Sequence, residues 1–122
     1  MLDHIVIGVR DLAASKSFYE GALAPLGLST VLEFPGVAGL GAQGKPEFWL
    51  REGGGHEAAH VAFRSPDRAT VAAFHEAALR AGGRDNGGPG VREIYHPHYY
   101  GAFVLDPDGH NIEAVCHDPA GA

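Results

Sequence analysis

The chain has little of several features that would point to other classes of protein. It contains a single cysteine, Cys116, in 122 residues, which excludes an intramolecular disulfide framework and favours a reducing compartment. No apolar run approaches the ~18 residues of a membrane-spanning helix. The first residues, MLDHIVIGV, lack the basic segment and cleavage site of a signal peptide. These absences predict a cytoplasmic protein with no membrane partner.

Positive charge is also scarce. The chain has 9 Lys and Arg residues against 15 Asp and Glu, for a net charge of −6. Proteins that bind nucleic acid or anionic membranes usually carry a basic surface, so a small-molecule substrate and no nucleic acid are expected. Histidine, in contrast, is abundant: the eight His residues indicate metal binding, acid–base chemistry or both.

An internal repeat organises the chain. Residues 4–27 recur at residues 60–83 with a constant offset, so that His4 corresponds to His60 and Gly27 to Gly83. A repeat of this kind predicts two copies of one structural unit. It also puts His4 and His60 at equivalent positions, from which two related units can share one metal site.

Each copy is predicted to form a strand, a helix and three further strands. Alternating apolar residues predict the strands, and helical spacing after Asp11 and Asp67 predicts the two helices. Gly53–Gly55 is expected to separate module 1, about residues 1–52, from module 2, about residues 56–118, within one domain spanning residues 1–122. The predicted elements are strands at 3–9, 28–34, 37–41, 47–51, 60–64, 91–95, 99–105 and 110–116, and helices at 12–26 and 68–81.

One glutamate lies within the apolar last strand of each unit: Glu47 in PEFWL and Glu113 in IEAVC. A carboxylate on a buried sheet face is costly unless it is paired or binds a metal. The predicted metal ligands are therefore His4, His60, Glu113 and Glu47, a set that suits divalent Zn, Ni, Fe or Mn. Glu47 follows Pro46 at a strand start, where its side chain can equally point outward, and the ligand set is then His4, His60 and Glu113.

The segment His96–Tyr100 is the second chemical cluster. We predict His98 and Tyr100 as acid–base or oxyanion-binding groups, alongside Glu113 and Glu47 as proton carriers. Because neighbouring strand residues point to opposite faces, only one of Tyr99 and Tyr100 is expected to line a cleft.

The stretch His56–His60 matches the HExxH pattern of metalloproteases. That chemistry requires a helix, whereas glycines precede this stretch and strand-forming residues follow it. Residues four apart in a strand are separated by about 13 Å, too far to bind one ion. A protease is therefore disfavoured.

Two long segments carry a resemblance to a known family. Together with the doubled βαβββ pattern, LDHIVIGVRDLAASKSFYEGAL and YGAFVLDPDGHNIEAV resemble the vicinal oxygen chelate superfamily. The resemblance implies an α+β fold in which two βαβββ modules form curved sheets around a shared cleft, paired in a homodimer. Family ligands come from the first and last strands of the modules, and these positions hold His4, Glu47, His60 and Glu113.

The resemblance implies several functions, because one fold hosts many chemistries. We predict a metal-dependent, glyoxalase-like isomerase or lyase acting on a small molecule that chelates a divalent metal through adjacent oxygens. The alternatives are an extradiol-type ring-cleavage dioxygenase, using His4, His60 and Glu113, and a non-catalytic small-molecule binding protein of the bleomycin-resistance type. If glutathione is used, Arg10, Arg51, Arg64 and Arg92 are candidates to bind it.

Overall fold

A computed structural model describes residues 2–53 and 57–119. The first half contains β1 (Ile5–Val9), α1 (Leu12–Leu23), a 3-10 helix (Ala24–Leu26), β2 (Ser29–Phe34), β3 (Val37–Ala42) and β4 (Lys45–Glu52). The second half contains β5 (His60–Arg64), α2 (Arg68–Arg80), β6 (Arg84–Asp85), β7 (Gly90–Val91), β8 (Tyr100–Leu105) and β9 (Asn111–Cys116).

The two halves form two mixed sheets with the same plan. The first has the strand order β1-β4-β3-β2, and the second has β5-β9-β8-β6, with β7 also paired to β8. In each sheet the first and last strands of the module run parallel, and the remaining pairs are antiparallel. This confirms the predicted α+β fold of two βαβββ-like modules.

Both helices begin where the sequence predicts. The side chain of Asp11 accepts a hydrogen bond from the Ala14 N–H at 3.1 Å, and that of Asp67 accepts one from the Thr70 N–H at 2.7 Å. Each aspartate therefore caps the first turn of its helix. α1 ends at Leu23, three residues earlier than predicted, and a 3-10 helix containing Pro25 follows it, because proline has no N–H for the α-helical ladder.

The core lies between the helices and one face of each sheet. Because strand side chains alternate, the residues between the core-facing positions lie on the opposite sheet face. Glu47, His60 and Glu113 are among them. The strand residues that pack into the core include Ile7, Val9, Phe48, Leu50, Val61, Ile112 and Ala114.

The DPDGH turn between β8 and β9 fastens the two modules together. The carboxylate of Asp106 accepts hydrogen bonds from the Tyr19 hydroxyl and from the His110 N–H. Nδ1 of His110 accepts the Ala59 N–H at 2.8 Å, so its other nitrogen carries the proton and donates to the Gly8 carbonyl at 2.8 Å. This motif is part of the scaffold, with Tyr19 and Gly8 supplied by module 1.

The predicted strand at 91–95 is wrong beyond Val91. Residues 93–95 form a turn, and the Arg92 N–H donates to the Tyr99 carbonyl at 2.7 Å, which closes the segment into a loop. Ile94 is 86% exposed, so an apolar strand-type sequence occurs here without a neighbouring strand to pair with.

Part of the predicted module boundary, Gly54 and Gly55, lies outside the described residues, as does His56 of the HExxH pattern. Residues 57–59 are not helical, and His60 opens β5. No helix within residues 2–53 and 57–119 is long and apolar enough to cross a membrane.

Candidate functional site

Glu113 lies at the centre of the second sheet and is only 1% exposed. Its neighbours Ile112 and Ala114 pack into the core, so the alternation of β9 directs Glu113 to the other face of the sheet. A carboxylate buried this deeply is stable only if its oxygens have strong partners.

Two side chains provide those partners. Nε2 of His60 lies 2.8 Å from Oε1 of Glu113, and the Tyr99 hydroxyl donates a hydrogen bond to Oε2. β5 pairs with β9 so that Ala62 stands opposite Glu113, which places His60 one same-face position away. An ionised carboxylate only accepts hydrogen bonds, so Nε2 of His60 carries the proton in this pair.

The neighbouring strand β8 shapes the space around the carboxylate. A Cβ at Gly101 would lie 3.3 Å from Oε2 of Glu113 and 3.3 Å from a ring carbon of Tyr99. Glycine therefore leaves room for their contact. Phe103 stands opposite Glu113 in the β8–β9 register, and its ring centroid lies 6.2 Å from that of His60.

Tyr99 is the site residue that sequence reasoning missed. Burial, followed by the hydrogen bond to Glu113, raises the pKa of Tyr99, so its hydroxyl remains a donor at neutral pH. The predicted residue Tyr100 instead packs against the core, with the Arg68 guanidinium carbon 4.9 Å from its ring centroid. The two tyrosines do lie on opposite faces, but choosing between them required the register with Glu113.

His98 does not contact Glu113, and its side chain is exposed. Its backbone N–H donates to Nδ1 of His96 at 3.0 Å, so His96 carries its proton on Nε2 and donates to Nδ1 of His117 at 2.9 Å. The rings of His96 and His117 both pack edge-on against Tyr99, with centroids 5.5 and 5.3 Å away. This histidine pair supports the tyrosine that holds the carboxylate.

The predicted ligands His4 and Glu47 of the first sheet are both exposed, and Trp49, not Glu47, holds the register position equivalent to Glu113. Ile5 pairs with Phe48, so His4 and Glu47 occupy adjacent positions at the start of the parallel ladder. Nδ1 of His4 lies 2.7 Å from the carboxylate of Asp3, whereas Glu47 forms no hydrogen bond or ion pair with another residue of the described ranges.

One cavity of about 430 Å³ brings together residues of both modules. His4, Glu47 and His60 line it, with apolar walls from Ile5, Leu26, Leu28, Phe48, Val61 and Phe63. Within residues 2–53 and 57–119, however, no three His, Cys, Asp or Glu side chains approach closely enough to bind one ion. The four predicted ligands are thus present as two pairs, with only His60 and Glu113 in direct contact. Imidazole and carboxylate are ligand types that a divalent first-row ion accepts, and His60 would have to exchange its hydrogen bond with Oε1 of Glu113 for the ion.

Solved structures share this architecture. A glyoxalase/bleomycin resistance protein from Albidiferax ferrireducens T118 is 26% identical, with a TM-score of 0.82 over 97% of this chain and 99% of that one. A glyoxalase-related enzyme from Fulvimarina pelagi is 24% identical, with a TM-score of 0.72 over 95% of this chain and 87% of that one. Lactoylglutathione lyase from Agrobacterium tumefaciens is 17% identical, with a TM-score of 0.72 over 95% and 92% of the two chains. The last two likenesses concern the fold alone.

Sequence comparison identifies the family. No curated protein matches the chain. The sequence profile of one superfamily does match, over residues 1–114, which include module 1, most of module 2 and all four predicted ligands. The chain therefore belongs to the Glyoxalase/Bleomycin resistance protein/Dioxygenase superfamily.

Proposed function

We propose that this protein is a metal-dependent, glyoxalase-like enzyme that moves a proton next to a carbonyl of a small molecule with adjacent oxygens. The observation that carries the proposal is Glu113, a carboxylate 1% exposed and held between His60 and Tyr99. An apolar residue would stabilise the sheet at this position without the cost of desolvating a charge. A carboxylate that is kept in a buried sheet position despite this cost is a candidate functional group.

The donor pairs support a shared metal site. His60 with Glu113, and His4 with Glu47, each offer one imidazole and one carboxylate. Because three donors do not converge among the described residues of one chain, we infer that a homodimer completes the site. His4 and Glu47 from one copy would then join His60 and Glu113 from the other. A bound divalent ion would stabilise negative charge on a substrate oxygen.

Glu113 is the proposed base, and Tyr99 is a positioning residue. Oε2 of Glu113 is held by the Tyr99 hydroxyl, while Oε1 has His60 as its partner. If His60 bound a metal ion instead, Oε1 of Glu113 would be free to accept a proton from the substrate carbon beside the carbonyl. Oε1 could then return that proton to the neighbouring atom of the substrate. Glu47, exposed and without a partner in the described residues, is proposed as the second carboxylate of the site and an auxiliary proton carrier.

Elemental analysis of the purified protein tests the proposal. We expect about one equivalent of a first-row divalent metal per chain, lost in His60→Ala and Glu113→Gln. His75→Ala is the matched control, because His75 pairs with Asp85 away from the site and should leave the metal content unchanged. Size-exclusion chromatography with light scattering on the same samples should give a dimer.

A non-catalytic binding protein is the second candidate, favoured by the lack of three converging donors among the described residues and by the apolar walls of the 430 Å³ cavity. A folded protein that contains no metal and takes up none of Zn²⁺, Ni²⁺, Mn²⁺ or Fe²⁺ would establish it and overturn the enzyme. Iron as the bound metal would instead favour ring-cleavage chemistry with O₂.

A further inference from the structure

A half-buried arginine, Arg92, lies on the same sheet face as Glu113. Its guanidinium carbon is 5.4 Å from the ring centroid of Phe103. Phe103 stands opposite Glu113 in the β8–β9 register, and the same ring lies 6.2 Å from that of His60. A single aromatic side chain therefore contacts both the cation and the His60–Glu113 pair.

The position of this guanidinium is built by its surroundings. One terminal nitrogen donates to the Gly88 carbonyl at 2.8 Å. A Cβ at Gly87 would lie 3.1 Å from Nη2 of Arg92, and a Cβ at Gly90 would lie 3.1 Å from Nη1. The two glycines thus leave the space that the guanidinium occupies. The Arg92 N–H also bonds to the Tyr99 carbonyl, which ties the base of the side chain to the site.

Arg92 has no acidic partner within residues 2–53 and 57–119. By contrast, Arg10 pairs with Asp108, and Arg80 pairs with Glu76. A single carbonyl satisfies one of the five N–H donors of the guanidinium and none of its charge. That charge reaches the site: although burial and Glu113 together raise the pKa of Tyr99, Arg92 acts in the opposite direction.

We propose that Arg92 binds a carboxylate of the substrate, whose body passes beside Phe103 with its adjacent oxygens directed toward His60 and Glu113. The substrate class is then a small carboxylic acid that carries two neighbouring oxygens at a distance from the carboxylate. The planar guanidinium fork matches a carboxylate bidentately and is selective for it. The orientation of the substrate, with its adjacent oxygens toward Glu113 and its carboxylate toward Arg92, rests on the proposed function, since that function places the reacting atoms at Glu113.

Two probe ligands that differ only in the charged group test this assignment. Catechol and 3,4-dihydroxybenzoate both carry adjacent oxygens, and only the second carries a carboxylate. Calorimetric or NMR titration should show that the wild-type protein prefers 3,4-dihydroxybenzoate about tenfold or more, as a charged hydrogen bond implies. Arg92→Gln should abolish the preference, and Arg92→Lys should keep part of it. Arg84→Gln is the control: it removes an exposed arginine of β6 and should leave the preference for 3,4-dihydroxybenzoate unchanged.

Equal binding of the two probes by the wild-type protein would overturn the proposal, as would an undiminished preference in Arg92→Gln. If Arg92→Gln does not fold, an undiminished preference in Arg92→Lys overturns it, because Lys lacks the fork. Metal content measured on the same samples separates the two hypotheses. A preference that depends on Arg92 in a metal-free protein supports the anion site and refutes the metal enzyme. A metal-loaded protein without the preference refutes the anion site alone.

Discussion

The two modules have the same fold, and each carries one histidine at its first strand and one glutamate in its last, but the two glutamates differ in register and in surroundings. Glu113 is 1% exposed and is held by His60 and Tyr99, whereas Glu47 is exposed and pairs with no described residue. His60 contacts its glutamate, and His4 contacts its chain neighbour Asp3 instead. The repeat thus gives the two histidines equivalent positions, whereas strand register and the surrounding loops set the environment of each glutamate.

The loop that precedes the last hairpin of each module accounts for the different burial of Glu113 and Glu47. In module 1, β2 and β3 are joined by the short turn Pro35–Gly36. In module 2, a long segment from β6 to β8 carries Arg92, His96 and Tyr99, and Tyr99 covers the carboxylate. On the first sheet Trp49 takes the space instead: a Cβ at Gly39 would lie 2.8 Å from its indole ring.

The largest difference between the modules should appear in metal affinity. Glu113→Ala is expected to weaken Zn²⁺ binding more than about 100-fold. It removes a proposed ligand that His60 and Tyr99 already hold in place, which should cost more than the loss of a supporting residue. Glu47→Ala should weaken binding less, since that carboxylate must first lose its mobility. Isothermal titration calorimetry with Zn²⁺ checks both, and equal losses would show that the two glutamates are equivalent.

Tyr99→Phe tests whether the covering loop stabilises module 2. It removes one hydroxyl and leaves Oε2 of a buried carboxylate without its donor, at an expected cost of about 2 kcal/mol in the free energy of unfolding. Tyr100→Phe is the matched control, because the Tyr100 hydroxyl bonds to no described residue, and it should cost less than about 0.5 kcal/mol. Urea unfolding monitored by circular dichroism measures both values. Similar costs would indicate that Tyr99 contributes only through its ring.

The contact between the modules predicts a dependence on alkaline pH. Burial, followed by the carboxylate of Asp106, raises the pKa of Tyr19 well above its usual value. The unfolded tyrosine ionises near pH 10 while the folded one does not, so the stabilising effect is complete below pH 10 and falls as pH rises, by about 1.4 kcal/mol per unit. Unfolding free energies of wild type and Tyr19→Phe between pH 8 and 11 should therefore converge. Parallel curves would contradict this reading.

The smallest effect on the free energy of unfolding is expected at the exposed contact between His4 and Asp3. His4→Ala removes one surface contact with Asp3 and should leave the free energy of unfolding almost unchanged, because solvent screens an exposed ion pair. His60→Ala leaves a buried carboxylate oxygen without its donor and should cost about 1–3 kcal/mol. Thermal denaturation of the two metal-free variants compares them directly, and a larger loss for His4→Ala would reverse the contrast between the modules.

Much of the fold could be predicted, because its signals are local. Asp11 and Asp67 precede apolar residues at helical spacing, and both cap helices that begin at the next residue. The predicted strand beyond Val91 was wrong, because Ile94 and Tyr95 have strand propensity but no strand beside them. Propensity cannot report whether a pairing partner exists.

The candidate site could be predicted only in part. Glu113 was expected to be buried, since a single acid interrupts an apolar strand, and the repeat singled out His60. Tyr99 and Arg92 lie in a loop without periodicity, and nothing in the sequence indicates that one bonds to Glu113 and the other stacks on Phe103.

By itself, the sequence determined the doubled βαβββ plan, its family and the equivalent positions of His4 and His60, because repeats and alternation are properties of neighbouring residues. Only the tertiary structure decided that Glu113 is buried while Glu47 is exposed, that Tyr99 bonds to Glu113, and that Arg92 stacks on Phe103. The physical reason is strand register. It brings together side chains from β5, β8, β9 and the loop of residues 92–99, and these contacts between separate strands cannot be derived from any local sequence pattern.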